Sequence, residues 1–147
     1  MKQLFLTMAL AAASVLSVQA QDKKGGAEFK FKEETHDFGT IKEGPVATTV
    51  FEFTNVGNEP LIIQSASASC GCTTPEWPKE PVLPGKKGKI TVSYNTQGRV
   101  APFTKDVYIV SNAKMPEGKE RYELHIKGTV VAAENPAKPA DAKPAAH

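Results

Sequence analysis

Prolines stand at positions 75, 78, 81 and 84, three residues apart, near the middle of the chain. Each removes a backbone donor and clashes with the preceding turn, so no α-helix survives that spacing. On both sides of this stretch, apolar and polar residues alternate with a period of two. Phe29-Lys30-Phe31-Lys32 is one such run, and Phe51 and Phe53 flank Glu52. Ile90, Val92 and Tyr94 share a face, as do Val107 and Ile109. In the last run, Tyr122, Leu124, Ile126 and Val130 point one way, and Glu123, His125 and Lys127 the other. That period is the signature of half-buried strands.

Turn signals separate the runs. Gly44-Pro45, the cluster Asn55–Pro60, Pro84–Gly88, Gln97–Arg99 and the longer loop Asn112–Lys119 hold residues that tolerate positive φ or cannot donate to a ladder. Between two of them, Leu61-Ile62-Ile63 starts a strand that runs through Ser65-Ala66-Ser67-Ala68-Ser69. This small-residue segment has little bulk to bury. Either something large packs on it, or its backbone closely approaches another element. About seven short strands result, with no helical period. The pattern predicts an all-β fold, an antiparallel immunoglobulin-like β-sandwich, over residues 29–131, with a barrel as the alternative.

A chain of 147 residues has room for one such domain. Its ends differ from the middle. Lys2 followed by the apolar run Leu4–Val18 and the small-residue site Val18-Gln19-Ala20 reads as a secretory signal peptide over residues 1–20. The run is short for a membrane span, so no stable membrane insertion is expected after cleavage. No cysteine follows it to take a lipid. Residues 21–28 read as a polar linker. Residues 132–147 are almost entirely Ala, Pro and Lys, and are predicted to be a disordered tail. The expected location is therefore periplasmic or extracellular. The net charge of +2 is too weak to point to nucleic acid or an anionic surface.

Chemistry concentrates in Ser69-Cys70-Gly71-Cys72-Thr73-Thr74-Pro75-Glu76-Trp77-Pro78, which holds both cysteines and the single tryptophan. Three readings of Cys70-Gly71-Cys72 compete. The first is a local disulfide, which an exported chain permits. In an ideal strand the two residues sit about 6.6 Å apart, so a bond needs a bent backbone, for which Gly71 is suited. It would be a weak staple, worth roughly 1.6 kcal/mol for a three-residue loop in the chain-entropy model. A thiol-redox role is a variant of this reading. The second is a metal site: two thiolates suit Cu(I), while structural zinc needs four ligands. His36, His125 and His147 are the candidates to complete it. The third is a pair of free, buried thiols packed against Trp77. Trp77 reads as a core plug or lid, or as a ring that stacks on a sugar or peptide. Nothing else in the sequence carries catalysis. No Ser–His–Asp set is suggested by spacing, no Gly-rich loop joins a strand to a helix, and Glu33-Glu34 face opposite ways in a strand.

Several motifs occur in order: His36-Asp37-Phe38-Gly39, Phe51-Glu52-Phe53-Thr54-Asn55-Val56-Gly57, Pro60-Leu61-Ile62-Ile63, Ser69-Cys70-Gly71-Cys72-Thr73, Leu83-Pro84-Gly85 and Ser111-Asn112. Together they resemble the bacterial family known as domain of unknown function 1573, over roughly residues 34–130. The resemblance implies an exported immunoglobulin-like sandwich, similar to Hydin-type modules, with a Cys-Gly-Cys-Thr signature met here by Cys70, Gly71, Cys72 and Thr73. It implies no reaction. The functional expectation is a non-enzymatic module without a cofactor that binds or scaffolds an unidentified protein partner. The alternative is a Cys-x-Cys protein that handles copper or exchanges thiols.

Overall fold

The computed structural model describes residues 25–134. The signal-peptide reading, the first half of the linker, most of the tail and His147 lie outside these residues. Eight strands form: β1 (Phe29–Phe31), β2 (Thr35–Lys42), β3 (Val46–Asn55), β4 (Ile63–Ala68), β5 (Thr73–Glu76), β6 (Lys87–Asn95), β7 (Pro102–Ser111) and β8 (Tyr122–Val131). They make two four-stranded sheets, ordered β1-β3-β6-β5 and β2-β8-β7-β4. The immunoglobulin-like sandwich predicted by the alternation is present.

The alternating residues meet between the sheets. Phe51, Phe53, Ile90, Val92 and Tyr94 come from the first sheet; Val107, Ile109, Leu124, Ile126 and Val130 come from the second, and all are buried. Tyr94 stacks on Phe103 across the layers, with ring centroids 4.1 Å apart. Burying each such side chain contributes roughly 1.5–3 kcal/mol, which dominates the stability of a small sandwich.

Three details depart from the sequence reading. First, the sandwich is not wholly antiparallel: β2 pairs with β8 in parallel. Lys32 N–H still donates to Glu52 O in the first sheet, whereas Glu34 O already accepts the His125 N–H in the second, so the chain changes sheets at Glu33-Glu34. It therefore lies antiparallel to β3 and then alongside β8. Second, the proline-rich stretch contains a strand. Pro75 sits in β5, opposite Val92 of β6, and β5 is the outermost strand of its sheet. An edge strand has one side free of ladder bonds, so proline is accepted there. Third, ordered packing begins before residue 29. Ala27 is fully buried and bridges Ala113, and its carbonyl accepts the Lys114 N–H at 2.8 Å.

The small-residue segment is also explained. β4 is the outermost strand of the second sheet, so half of its surroundings lie outside the sandwich. Ala66, half-buried, turns toward the core, while Ser65 and Ser67 are exposed. Leu61 belongs to a separate bridge with Val82 rather than to β4.

Candidate functional site

Cys70-Gly71-Cys72 is the corner at which the chain changes sheets. β4 ends at Ala68 in the second sheet, and β5 starts at Thr73 in the first. The corner is pinned on both sides. Ser69 N donates to Asp106 O at 2.9 Å in the second sheet, and Asn95 N donates to Cys72 O at 2.8 Å in the first. Thr73 N closes the turn on Cys70 O at 3.3 Å.

Cys70 and Cys72 are bonded to each other, with their Cα atoms 5.2 Å apart. That is shorter than the roughly 6.6 Å of an ideal strand, so the backbone is bent between them. Cys72 is buried, at 6% exposure, whereas Cys70 is half-buried. The hydroxyl of Thr73, itself buried, lies 3.6 Å from Cys70 Sγ and 3.8 Å from Cys72 Sγ. Gly71 is exposed, and a Cβ added there would meet nothing within 4 Å. Its φ is not in the positive region either. The bend therefore does not use the conformational freedom of glycine, contrary to the role the sequence suggested for it.

Trp77 is half-buried against the edge of the core, and the Lys79 ammonium stands 3.1 Å above its ring centroid. Among the described residues, neither His36 nor His125 joins the cysteines. His36 Nδ1 is 3.2 Å from Glu33 Oε1, and its ring meets Phe38 edge-on. His125 Nδ1 is 2.7 Å from Asp106 Oδ1. Among the described residues, no three His, Cys, Asp or Glu side chains come together as a metal site. In the bonded state neither sulfur is a thiolate ligand.

The outer face of the second sheet does assemble Ser69, Asp106 and His125, a set that no sequence spacing suggested. Asp106 lies on β7 between β8, which carries His125, and the chain at Ser69. The serine hydroxyl accepts the Asp106 N–H at 3.1 Å. In a nucleophilic triad the imidazole stands between serine and carboxylate. Here the aspartate occupies that middle place, so the trio is a cross-strand network rather than a hydrolytic site.

The other motifs noted in the sequence turn out to be architectural. Asn55 is fully buried. Its Oδ1 accepts from Gly57 N at 3.0 Å and Glu28 N at 3.3 Å, and its Nδ2 donates to Glu59 O at 2.7 Å and Val82 O at 2.8 Å. Its carbonyl accepts Gly85 N at 2.7 Å. One side chain and its backbone thus tie three separate loops. Asn112 works likewise on the Pro60–Ile62 turn: Oδ1 accepts Ile62 N at 2.7 Å, and Nδ2 donates to Pro60 O at 2.9 Å. In β2 the pairing slips between Asp37 and Thr40. Gly39 takes φ 63° at this bulge, and Asp37 Oδ1 accepts its N–H at 2.8 Å. That backbone bond, aided by Lys127 nearby, holds the Asp37 carboxyl below the usual range.

Residues 29–130 match the family model described as a protein of unknown function (DUF1573). The chain belongs to this family. The DUF1573 fold is seen in solved structures of low sequence identity. A protein of unknown function from Porphyromonas gingivalis W83 is 17% identical, with TM-score 0.62; the match covers 77% of this chain and 51% of that one. The present chain thus spans about half the length of that protein. The seventh ASH/PapD-like domain of human CEP192 is 12% identical, with TM-score 0.60, over 90% of this chain and all of that one. The VesB protease of Vibrio cholerae is 12% identical, with TM-score 0.54, over 72% of this chain but 32% of the protease. At these identities the likeness concerns the fold alone. No curated protein matches the DUF1573 chain.

Proposed function

We propose that this protein is an exported, non-enzymatic module, periplasmic or extracellular, that binds an extended segment of another protein by strand addition at β4. The observation that carries the reading is the composition of β4. An outermost strand offers unpaired N–H and C=O groups, and proteins usually blunt such edges with charge, proline or brevity. β1 is three residues long, carries Lys30 and is followed by Lys32, β5 contains Pro75, and β2 carries a bulge and Lys42. β4 is Ile-Gln-Ser-Ala-Ser-Ala, with neither charge nor proline, and after a slip beside Ile63 its pairing with β7 runs regularly from Ser65 to Ala68. From Ser65 to Ala68 its side chains are small, so an added strand meets little steric resistance there. Main-chain bonds would give affinity, and pockets for alternate side chains specificity.

The non-enzymatic part of the reading rests on the Ser69–Asp106–His125 order, which is wrong for a triad. No cofactor or nucleic acid enters it. A library of extended peptides displayed on phage tests the reading. Selected peptides are expected to shift the amide resonances of Gln64–Ala68. Ala68→Pro should abolish that binding while the fold is retained. The Ala68 N–H points away from β7, because the neighbouring Ser69 N–H is the one that bonds Asp106. Peptides that perturb another face, or that bind the proline variant equally, contradict it.

A further inference from the structure

The motifs at Asn55, Asn112 and Asp37-Gly39 each secure a particular turn or bulge. Cys70-Gly71-Cys72-Thr73 does not fit that pattern. Its corner is already pinned by the Ser69–Asp106 and Asn95–Cys72 main-chain bonds, so both ends of the bend are held without the disulfide. The bond closes only three residues, which makes it a small constraint on the unfolded chain. Gly71 supplies neither a positive φ nor room for a close neighbour. Gly71 is itself exposed, so the apex of the corner faces solvent.

The two sulfurs differ in a way that suits exchange. Cys70 is half-buried, and Cys72 is buried. The Thr73 hydroxyl lies within reach of both. A hydroxyl so placed can donate to whichever sulfur carries negative charge.

We propose that Cys70–Cys72 is a thiol–disulfide exchange site for a dithiol-bearing partner protein, with Cys70 the sulfur that is attacked and Cys72 the sulfur that leaves. The partner thiolate gives its electron pair to Cys70 Sγ. The Cys70–Cys72 bond breaks, its electron pair stays on Cys72 Sγ, and that sulfur takes a proton from water. The partner's second thiol loses its proton and attacks the partner sulfur of the mixed disulfide, which releases Cys70 as a thiolate that takes up a proton in turn. The net result is two thiols here and one disulfide in the partner, a two-electron transfer with no further reactant. Access decides which sulfur of a disulfide is attacked, and here Cys70 is the less buried of the two.

The test uses the oxidised full chain with dithiothreitol as the dithiol probe, in native buffer, with timed alkylation and intact mass. Both thiols are expected to appear natively, at a rate within about tenfold of that of the same chain unfolded in denaturant. With oxidised glutathione as the second probe, Cys70 in the Cys72→Ser variant should take up glutathione at least about tenfold faster than Cys72 in Cys70→Ser. A bond that survives natively and yields only after unfolding overturns the proposal. So does equal or faster labelling of Cys72. The first arm needs no variant, so it decides the matter even if a serine variant fails to fold.

Discussion

The Ser69 hydroxyl accepts the Asp106 N–H at 3.1 Å, at a point where an uninterrupted antiparallel ladder would offer the Ser69 carbonyl. The Ser69 N–H still donates to Asp106 O. Half of the ladder rung is main chain and half is side chain. This substitution lets the chain leave the second sheet without stranding a donor, and the turn through Cys70 follows at once.

Ser69→Ala should therefore cost about 0.5–1 kcal/mol, the net worth of one partly solvated hydrogen bond. Urea unfolding measures the loss. Amide hydrogen exchange at Asp106 should speed up locally, while Leu124 and Ile126 in the centre of the sheet keep their protection.

Asn55→Ala should be far more costly, about 3 kcal/mol or more. It removes four hydrogen bonds from a fully buried position and leaves the Glu59 and Val82 carbonyls without their amide partner. Asn55→Asp should be no rescue, because a carboxylate has no hydrogen to donate to those two carbonyls. Denaturant midpoints of the two variants decide this.

Two glycine variants should separate sharply. A Cβ on Gly57 would lie 2.1 Å from Gly26 O and 2.7 Å from Glu28 N, both backbone atoms that cannot swing aside. Gly57→Ala should thus displace the lead-in to β1 and destabilise strongly. Gly71→Ala meets nothing within 4 Å. It should be neutral, or stabilise by about 0.4–1 kcal/mol through the unfolded state. Thermal melts of both give the comparison.

Tyr122 donates a short hydrogen bond to Glu34 Oε1. Burial first, and then the Glu34 carboxylate, push its phenol well above the usual value. A raised folded-state pKa contributes stability that is fully present below the unfolded value near 10 and is lost as pH rises above it. The domain should therefore lose stability progressively above about pH 10. An ultraviolet titration should show a tyrosine that ionises well above the usual range, and Tyr122→Phe should remove that late step.

Much of the fold was legible because period-two alternation reports directly on burial. Phe51, Phe53, Ile90, Val92, Leu124 and Ile126 all reach the core on the faces that their spacing predicts. β5 was not legible, because Pro75 disqualifies a strand unless its edge position is known, and that position is a tertiary fact. The parallel β2–β8 pairing was hidden for a similar reason, since Glu33-Glu34 marks no reversal and no crossing. At the site, Cys70 and Cys72 stood out by residue type. The Asp106–His125 pair, 19 residues apart, and the reach of Asn55 to Val82 depend on register between strands, which no local pattern encodes.

The most direct measurement is a thiol count by intact mass on the unreduced protein, alkylated in denaturant. A Cys70–Cys72 bond at the sheet-changing corner predicts a monomer that takes up no alkylating groups and weighs two hydrogens less than the reduced chain. Two alkylated cysteines, or a disulfide-linked dimer, would contradict the account.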